Sequence, residues 1–315
     1  MSGAVAADAR AWLRAVPLLF VLIWATGFVV ARFGMPHAPP LGFLALRFAL
    51  SVAVFAVWMR LAGVAWPRGR RQWAHLAVTG VLMHAGYLGG VWVAVKLGLG
   101  AGLAALMVGL QPVLTALWLS WVQSGSVSRQ AWLGLALGFA GLVLVVGHKL
   151  GHGEAGAVNV ACALLALLAI TAGTLYQKQF VHTVDVRGAN AVQLLGALAA
   201  LVPLAVLEAM LLPSGSPVPG AWTSGWDWHP ELIGALVWSV AVLTLGGSSL
   251  LTWLIQRGGA TQVTSLLYLV PPVTAVMAWA LFDEALGPGV LLGFVLSAVG
   301  VAMVVRAPAP APCQA

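Results

Sequence analysis

Ten apolar stretches follow one another along almost the whole chain, and the loops between them are mostly too short to build anything else. They cover residues 15–35, 41–59, 74–95, 98–122, 131–147, 157–177, 188–212, 232–255, 258–282 and 287–305. A helix needs about 20 apolar residues to cross a bilayer, and each stretch is near that length. Charged residues make up 7% of the chain and hydrophobic residues 61%, whereas a soluble domain carries about 25% charged residues. Such a chain has too little polar surface to face water. The expected fold is all-α and integral to the membrane, with ten transmembrane helices. Cys162 lies in an apolar run and Cys313 in the Pro-Ala tail, so no disulfide framework and no metal-ligand spacing is legible.

Charge orients the spans. With the N-terminus inside, Arg10, Arg14, Arg60, Arg68, Arg70, Arg71, Arg129, Lys178, Arg187, Arg257 and Arg306 fall on the inner side. Only Arg32, Lys96 and Lys149 fall outside, and Arg47 lies within the second span. This asymmetry predicts that both termini are cytoplasmic. It also accounts for the high isoelectric point without nucleic acid as a partner, because the basic residues sit in short loops. The acids Glu208, Asp227, Glu231, Asp283 and Glu284 fall outside. A cleaved signal peptide is the alternative reading of the first span, which its length and its later counterpart disfavour.

The chain repeats itself. "IWATGFVVARF" at 23–33 aligns with "ITAGTLYQKQF" at 170–180, and "WVAVK" at 92–96 with "WLIQR" at 253–257. "GLALGFAG" at 134–141 aligns with "GFVLSAVG" at 293–300. Each half holds five spans, an odd number, so the halves enter the membrane from opposite sides. The expected domains are a first five-helix repeat at 15–147, a second, inverted one at 157–305, and a disordered cytoplasmic tail at 306–315. Inverted repeats are a common architecture of secondary transporters.

"LQPVLTALW" at 110–118 and "VPPVTAVMAW" at 270–279 place Pro112 and Pro272 at matching points of the fourth and ninth spans. A proline inside a helix removes a donor and strands a carbonyl four residues earlier. In a bilayer such groups are tolerated only beside protein or a wet cavity. Pro112, Pro271 and Pro272 are therefore read as hinge candidates beside a central pathway.

Few polar groups lie within spans, where they are costly. Arg47 is about two turns into the second span. It can pair with an anionic group of a substrate or with a helix-end carbonyl, or snorkel to the interface. His84 and Tyr87 are three apart in "LMHAGYLGGVW" and share a face, and His84 is a candidate proton or substrate group. Trp24, Gln111, Tyr176, Ser249 and Tyr268 complete the candidate substrate-binding set. Ser248, Thr252 and Gln256 form a polar streak with Ser249, for which helix–helix hydrogen bonding is the plainer role.

"LIWATGFVVARFGMP", the "LRFAL" that opens the second span, the proline of the fourth and ninth spans, the acid after the ninth span and the closing G-x-x-L-x-x-x-G together resemble the drug/metabolite transporter superfamily in its EamA-type ten-helix branch. The resemblance runs from about Ala15 to Val305. It implies export of small metabolites such as amino acids, or of hydrophobic drugs. Family repeats place a Glu after the fourth span as well as after the ninth. Here Glu284 is present, but the first half reads "QSGSVSRQ" at 123–130, so Glu284 is read as a loop or cap residue and not a proton site.

An intramembrane enzyme is the rival class. The sequence has no H-E-x-x-H, no G-x-x-x-x-G-K-[ST], no Asp-rich magnesium site and no G-x-S-x-G nucleophile to pair with His84. The reading is not an enzyme, with no cofactor and no metal. It is a transporter of the inner membrane with a small-molecule substrate, the lipid bilayer as solvent and a proton as candidate coupling ion. A homo-oligomer is compatible with the sequence.

Overall fold

The computed structural model describes residues 2–122, 128–151, 155–181, 184–211, 226–251 and 269–306. Eleven helices carry almost all of them, and no strand occurs among the described residues. We label them α1 Ser2–Gly34, α2 Pro40–Leu61, α3 Arg70–Lys96, α4 Ala101–Val108, α5 Gln111–Val122, α6 Arg129–Gly151, α7 Ala157–Phe180, α8 Val186–Leu211, α9 Pro230–Leu251, α10 Val270–Phe282 and α11 Pro288–Arg306. Among the described residues six helices are long and apolar enough to span a bilayer, and four shorter apolar ones accompany them.

The surface is inverted relative to a soluble protein. Leu18, Val57, Phe139, Leu165, Met210, Val237 and Val295 are exposed, while Arg47, Ser51, Gln111, Asn190, Gln193 and Thr244 are buried. Lipid tails can cover the first set and offer nothing to the second, so the polar groups must find partners inside.

Neighbouring helices run up and down, which sorts their ends. One end gathers carboxylates. Glu208 Oε2 accepts from the N–H groups of Leu41 and Gly42 at 3.1 Å, capping α2. Glu284 accepts from Ala101 N–H at 2.8 Å and Gly102 N–H at 3.4 Å, capping α4. Asp283 adopts a left-handed φ of 53° that ends α10, and Glu284 N–H returns to the Ala278 carbonyl at 3.4 Å. This closure ends α10 and turns the Glu284 side chain toward α4. Lys96 Nζ donates to the Met35 carbonyl at 2.6 Å. The other end carries Arg60, Arg70, Arg71 and Arg187. Arg187 grips Asp185 with two 2.9 Å bonds, which hold that carboxyl below its usual range.

The helix contacts come in matched pairs. α1 packs on α9 as α7 packs on α3, α2 on α9 as α8 on α3, and α1 on α10 as α7 on α4 and α5. α2 with α8, α6 with α11 and α4 with α10 pair with their own counterparts. At the α6–α11 crossing, a Cβ on Gly141 would strike Gly293 and Ser297, and one on Gly300 would strike Gly134 and Gly138. The same glycines align in the repeat.

The prolines need a correction. Sequence reasoning puts Pro112 and Pro272 inside continuous helices, stripping one bond each. Instead the fourth apolar stretch is two helices, α4 and α5, separated at Gly109–Leu110, and Pro112 lies in the first turn of α5. Pro271 and Pro272 likewise lie in the first turn of α10. A first-turn N–H has no intrahelical acceptor, so proline costs little there and its fixed φ favours the start. The break itself is carried by three-residue closures, Leu110 N–H to Met107 O at 3.2 Å and Val113 N–H to Leu110 O at 3.0 Å. Tyr268, Thr252, Gln256 and the tail from 307 lie outside the described residues.

Candidate functional site

The π turns locate the site. Val81–Gly86 in α3 and Ser239–Ser248 in α9 are both wound with one extra residue per turn, and such turns often mark functional positions. One extra residue rotates the following helix face by about 100°. In α3 the turn lies where the chain presses on two neighbours. A Cβ on Gly80 would overlap the Gln193 carbonyl of α8, and one on Gly86 would come within 2.9 Å of Ala169 of α7.

Between these turns lies a cavity of about 730 Å³, its open mouth included. Its walls come from α1 (Trp24, Phe28), α2 (Arg47), α3 (Met83, His84, Tyr87, Trp92), α7 (Ile170, Gln177), α8 (Asn190, Gln193) and α9 (Leu243, Ser248). Both halves of the chain therefore contribute.

Arg47 is the charge in this cavity and is buried. It sits seven residues into α2, about 10 Å from the helix start. Its Nε donates to Thr244 Oγ1 at 3.1 Å, and Thr244 passes its own proton to the Ser239 carbonyl at 2.9 Å. The guanidinium lies 5.8 Å from the Phe48 ring centroid and 6.0 Å from that of Trp92. Among the described residues no carboxylate is within ion-pairing distance of it. Trp92 stacks on Phe43 with centroids 4.6 Å apart, and this layer stands between Arg47 and the carboxylate end. His84 shares the lining with Gln193 and meets Phe48 edge-on at 5.8 Å. Tyr87 shares the lining with Trp24. Gln177, Asn190 and Ser248 extend the lining toward the arginine end.

Of the sequence candidates, Trp24, Arg47, His84 and Tyr87 come together here. Gln111 lies in a smaller adjoining cavity with Trp24, Phe28, Pro112 and Pro271, where its amide donates to Thr174 Oγ1 at 2.9 Å. Tyr176 stands apart: its hydroxyl meets His75 Nδ1 at 2.8 Å and its ring packs on Phe180. Ser249 is beside the lining residue Ser248, not on the lining. Pro271 packs on Gly109, where a Cβ would lie 2.6 Å from the proline ring. Sequence reasoning did not single out Asn190, Gln193 and Thr244. The three-residue spacing of Asn190 and Gln193 in an apolar run was the available signal.

An apolar exterior around a partly polar cavity built from both halves defines a multi-pass membrane protein of the transporter class. The chain belongs to the EamA-like transporter family, which matches residues 13–147 and 158–306. It is 26% identical over 289 residues to an uncharacterized transporter, YvbV, of Bacillus subtilis, covering 90% of this chain and 88% of that one. It is 26% identical over 286 residues to a "probable amino-acid metabolite efflux pump" of Salmonella typhimurium, covering 90% and 91%. The inner membrane transporter YedA of Escherichia coli is 25% identical over 84% of this chain and 81% of its own. A solved crystal structure, 18% identical, superposes on 92% of this chain and 95% of its own with a TM-score of 0.63. That last likeness shows the fold alone.

Proposed function

We propose that this protein is a secondary transporter that exports small carboxylate-bearing metabolites, amino acids among them, across the inner membrane by alternating access. Its spans number ten, counting α4 and α5 as one broken span, in two inverted five-helix repeats. The paired helix contacts and the paired π turns support that count. The arginine end faces the cytoplasm, as the distribution of basic residues favours.

Arg47 carries the substrate class. A buried guanidinium without a carboxylate partner among the described residues offers a planar fork of donors suited to a carboxylate. Asn190, Gln193 and His84 supply further polar contacts, and Trp24, Phe28 and Trp92 supply apolar wall. His84 is the candidate carrier should a proton couple the cycle. The relative named as an amino-acid metabolite efflux pump points the same way. The aromatic walls favour a second reading, efflux of hydrophobic drugs, in which Arg47 is structural.

Reconstituted protein separates the two. Vesicles loaded with mixed amino acids should exchange labelled external amino acid, and the amide analogue, which lacks the carboxylate, should not compete. Competition by hydrophobic cations with none by amino acids would overturn the carboxylate reading in favour of the drug reading.

A further inference from the structure

A second polar cluster stands at the carboxylate end, away from the cavity. His37 lies in the loop between α1 and α2. Asp227 and His229 precede α9, and Glu231 is in its first turn. His37 Nδ1 faces Asp227 Oδ2 at 3.1 Å, and its Nε2 faces Glu231 Oε2 at 3.2 Å. His229 Nδ1 meets the same Glu231 oxygen. The two imidazoles stack with centroids 4.8 Å apart and planes within 6°. The backbone fixes the arrangement, with Asp227 N–H donating to the His37 carbonyl at 2.9 Å and His229 N–H to the Asp227 carbonyl at 2.7 Å.

Ordinary ion pairing explains this poorly. Two imidazoles converge on one carboxylate oxygen, and if both were charged their parallel rings would repel. A cation shared by the three groups removes that conflict. We propose that His37 Nε2, His229 Nδ1 and Glu231 form a binding site for a divalent transition metal, zinc being the best match, with Asp227 as the outer carboxylate.

The chemistry fits at each position. Zinc takes imidazole nitrogen and carboxylate oxygen, commonly three protein ligands with water as the fourth. Ligands about 2.0 Å from a tetrahedral zinc are about 3.3 Å from each other. The His37–Glu231 separation of 3.2 Å is that edge, and one ligand atom from each of the three residues lies within 4.8 Å of the others. Asp227 accepts the Nδ1 proton of His37. This leaves the Nε2 lone pair free for metal, the usual role of an outer-sphere carboxylate. The side chains of His229 and Glu231 are about half exposed, so solvent metal can reach them.

The cluster is assembled from distant parts of the sequence, His37 and Asp227 being 190 positions apart, so no metal motif was legible. They also come from different halves of the chain. A bound metal would staple the α1–α2 loop to the start of α9. Resting on the proposed alternating access, the staple should hold this end shut and slow transport.

The test uses the full chain without a polyhistidine tag, in nanodiscs, titrated with zinc chloride by equilibrium dialysis. One zinc should bind per chain. His229→Ala and Glu231→Gln should each weaken binding at least tenfold, and Asp227→Asn by about tenfold through its effect on His37. Cobalt chloride should give the visible absorption of a tetrahedral site, lost in His229→Ala. If His37→Ala does not fold, Glu231→Gln decides, since it keeps size and helix start. Absence of saturable zinc binding, or unchanged binding in His229→Ala and Glu231→Gln, overturns the site. Zinc binding without slowed amino-acid exchange overturns the staple alone. Absence of exchange in metal-free protein counts against the proposed transport and leaves the binding result standing.

Discussion

Arg47 is where the residue-scale argument concentrates. Placing an arginine in a span costs on the order of 2.5–3.5 kcal/mol by insertion scales. One bond to Thr244 and two aromatic faces leave most of its five donors without a protein acceptor among the described residues. If it binds carboxylate, Arg47→Lys keeps the charge but loses the fork. Exchange should then fall at least tenfold with a raised KM, while the protein elutes as wild type. Unchanged KM in Arg47→Lys would assign the residue to packing. His84→Ala is expected to lower exchange without loss of folded protein, because Tyr87 and Trp92 keep the local packing. Loss of expression would instead make His84 structural. These residues were legible because a polar group in an apolar run is rare enough to stand out. Periodicity did not reveal which neighbour each face would meet. Tyr176 looked equivalent to Tyr87 until α3 turned its ring toward His75, and Thr244 had no meaning before Arg47 was set beside it.

At the scale of elements, the prolines were legible as interruptions but not as starts. The sequence offers the same Pro whether a helix bends through it or begins at it. The difference at the fourth span lies at Gly109, which sits inside the closure of Leu110 on Met107 and leaves room for Pro271. The π turns were not legible at all, since one extra residue per turn leaves no compositional mark. They matter because they set which faces of α3 and α9 line the cavity. Close approach of backbones holds α3 in place: a Cβ on Gly196 of α8 would sit 2.6 Å from the Ala77 Cα of α3. Backbone cannot yield as a flexible side chain can. Gly196→Leu should therefore push α3 from α8, cut the yield of monodisperse protein several-fold and lower its melting temperature. Gly147, beside which a Cβ meets nothing, should tolerate the same change. Equal melting temperatures for Gly196→Leu, Gly147→Leu and wild type would show that the α3–α8 contact contributes nothing.

For the whole molecule, the two-fold pattern was the most legible feature and also explains the shared site. Aligned segments such as 134–141 and 293–300 become the faces of one crossing, α6 on α11, because a repeat that packs on its own copy needs the same small residues twice. The proposed inversion ties this pattern to orientation. Five spans per half, as proposed, would place the two half-starts on opposite sides, so that both chain ends share a side. On the proposed topology, eleven basic residues against three would put that side in the cytoplasm, and the helix-capping carboxylates Glu208 and Glu284 on the other. Single cysteines test this in intact cells, after Cys162 and Cys313 are replaced by alanine. Trp228→Cys, at an exposed position before α9, should react with a membrane-impermeant maleimide added outside. Arg71→Cys, in the first turn of α3, should react only after permeabilisation. Labelling of position 71 from outside with position 228 protected would reverse the orientation. Labelling of both from outside would refute an odd number of spans between positions 71 and 228, and with it the inverted repeat.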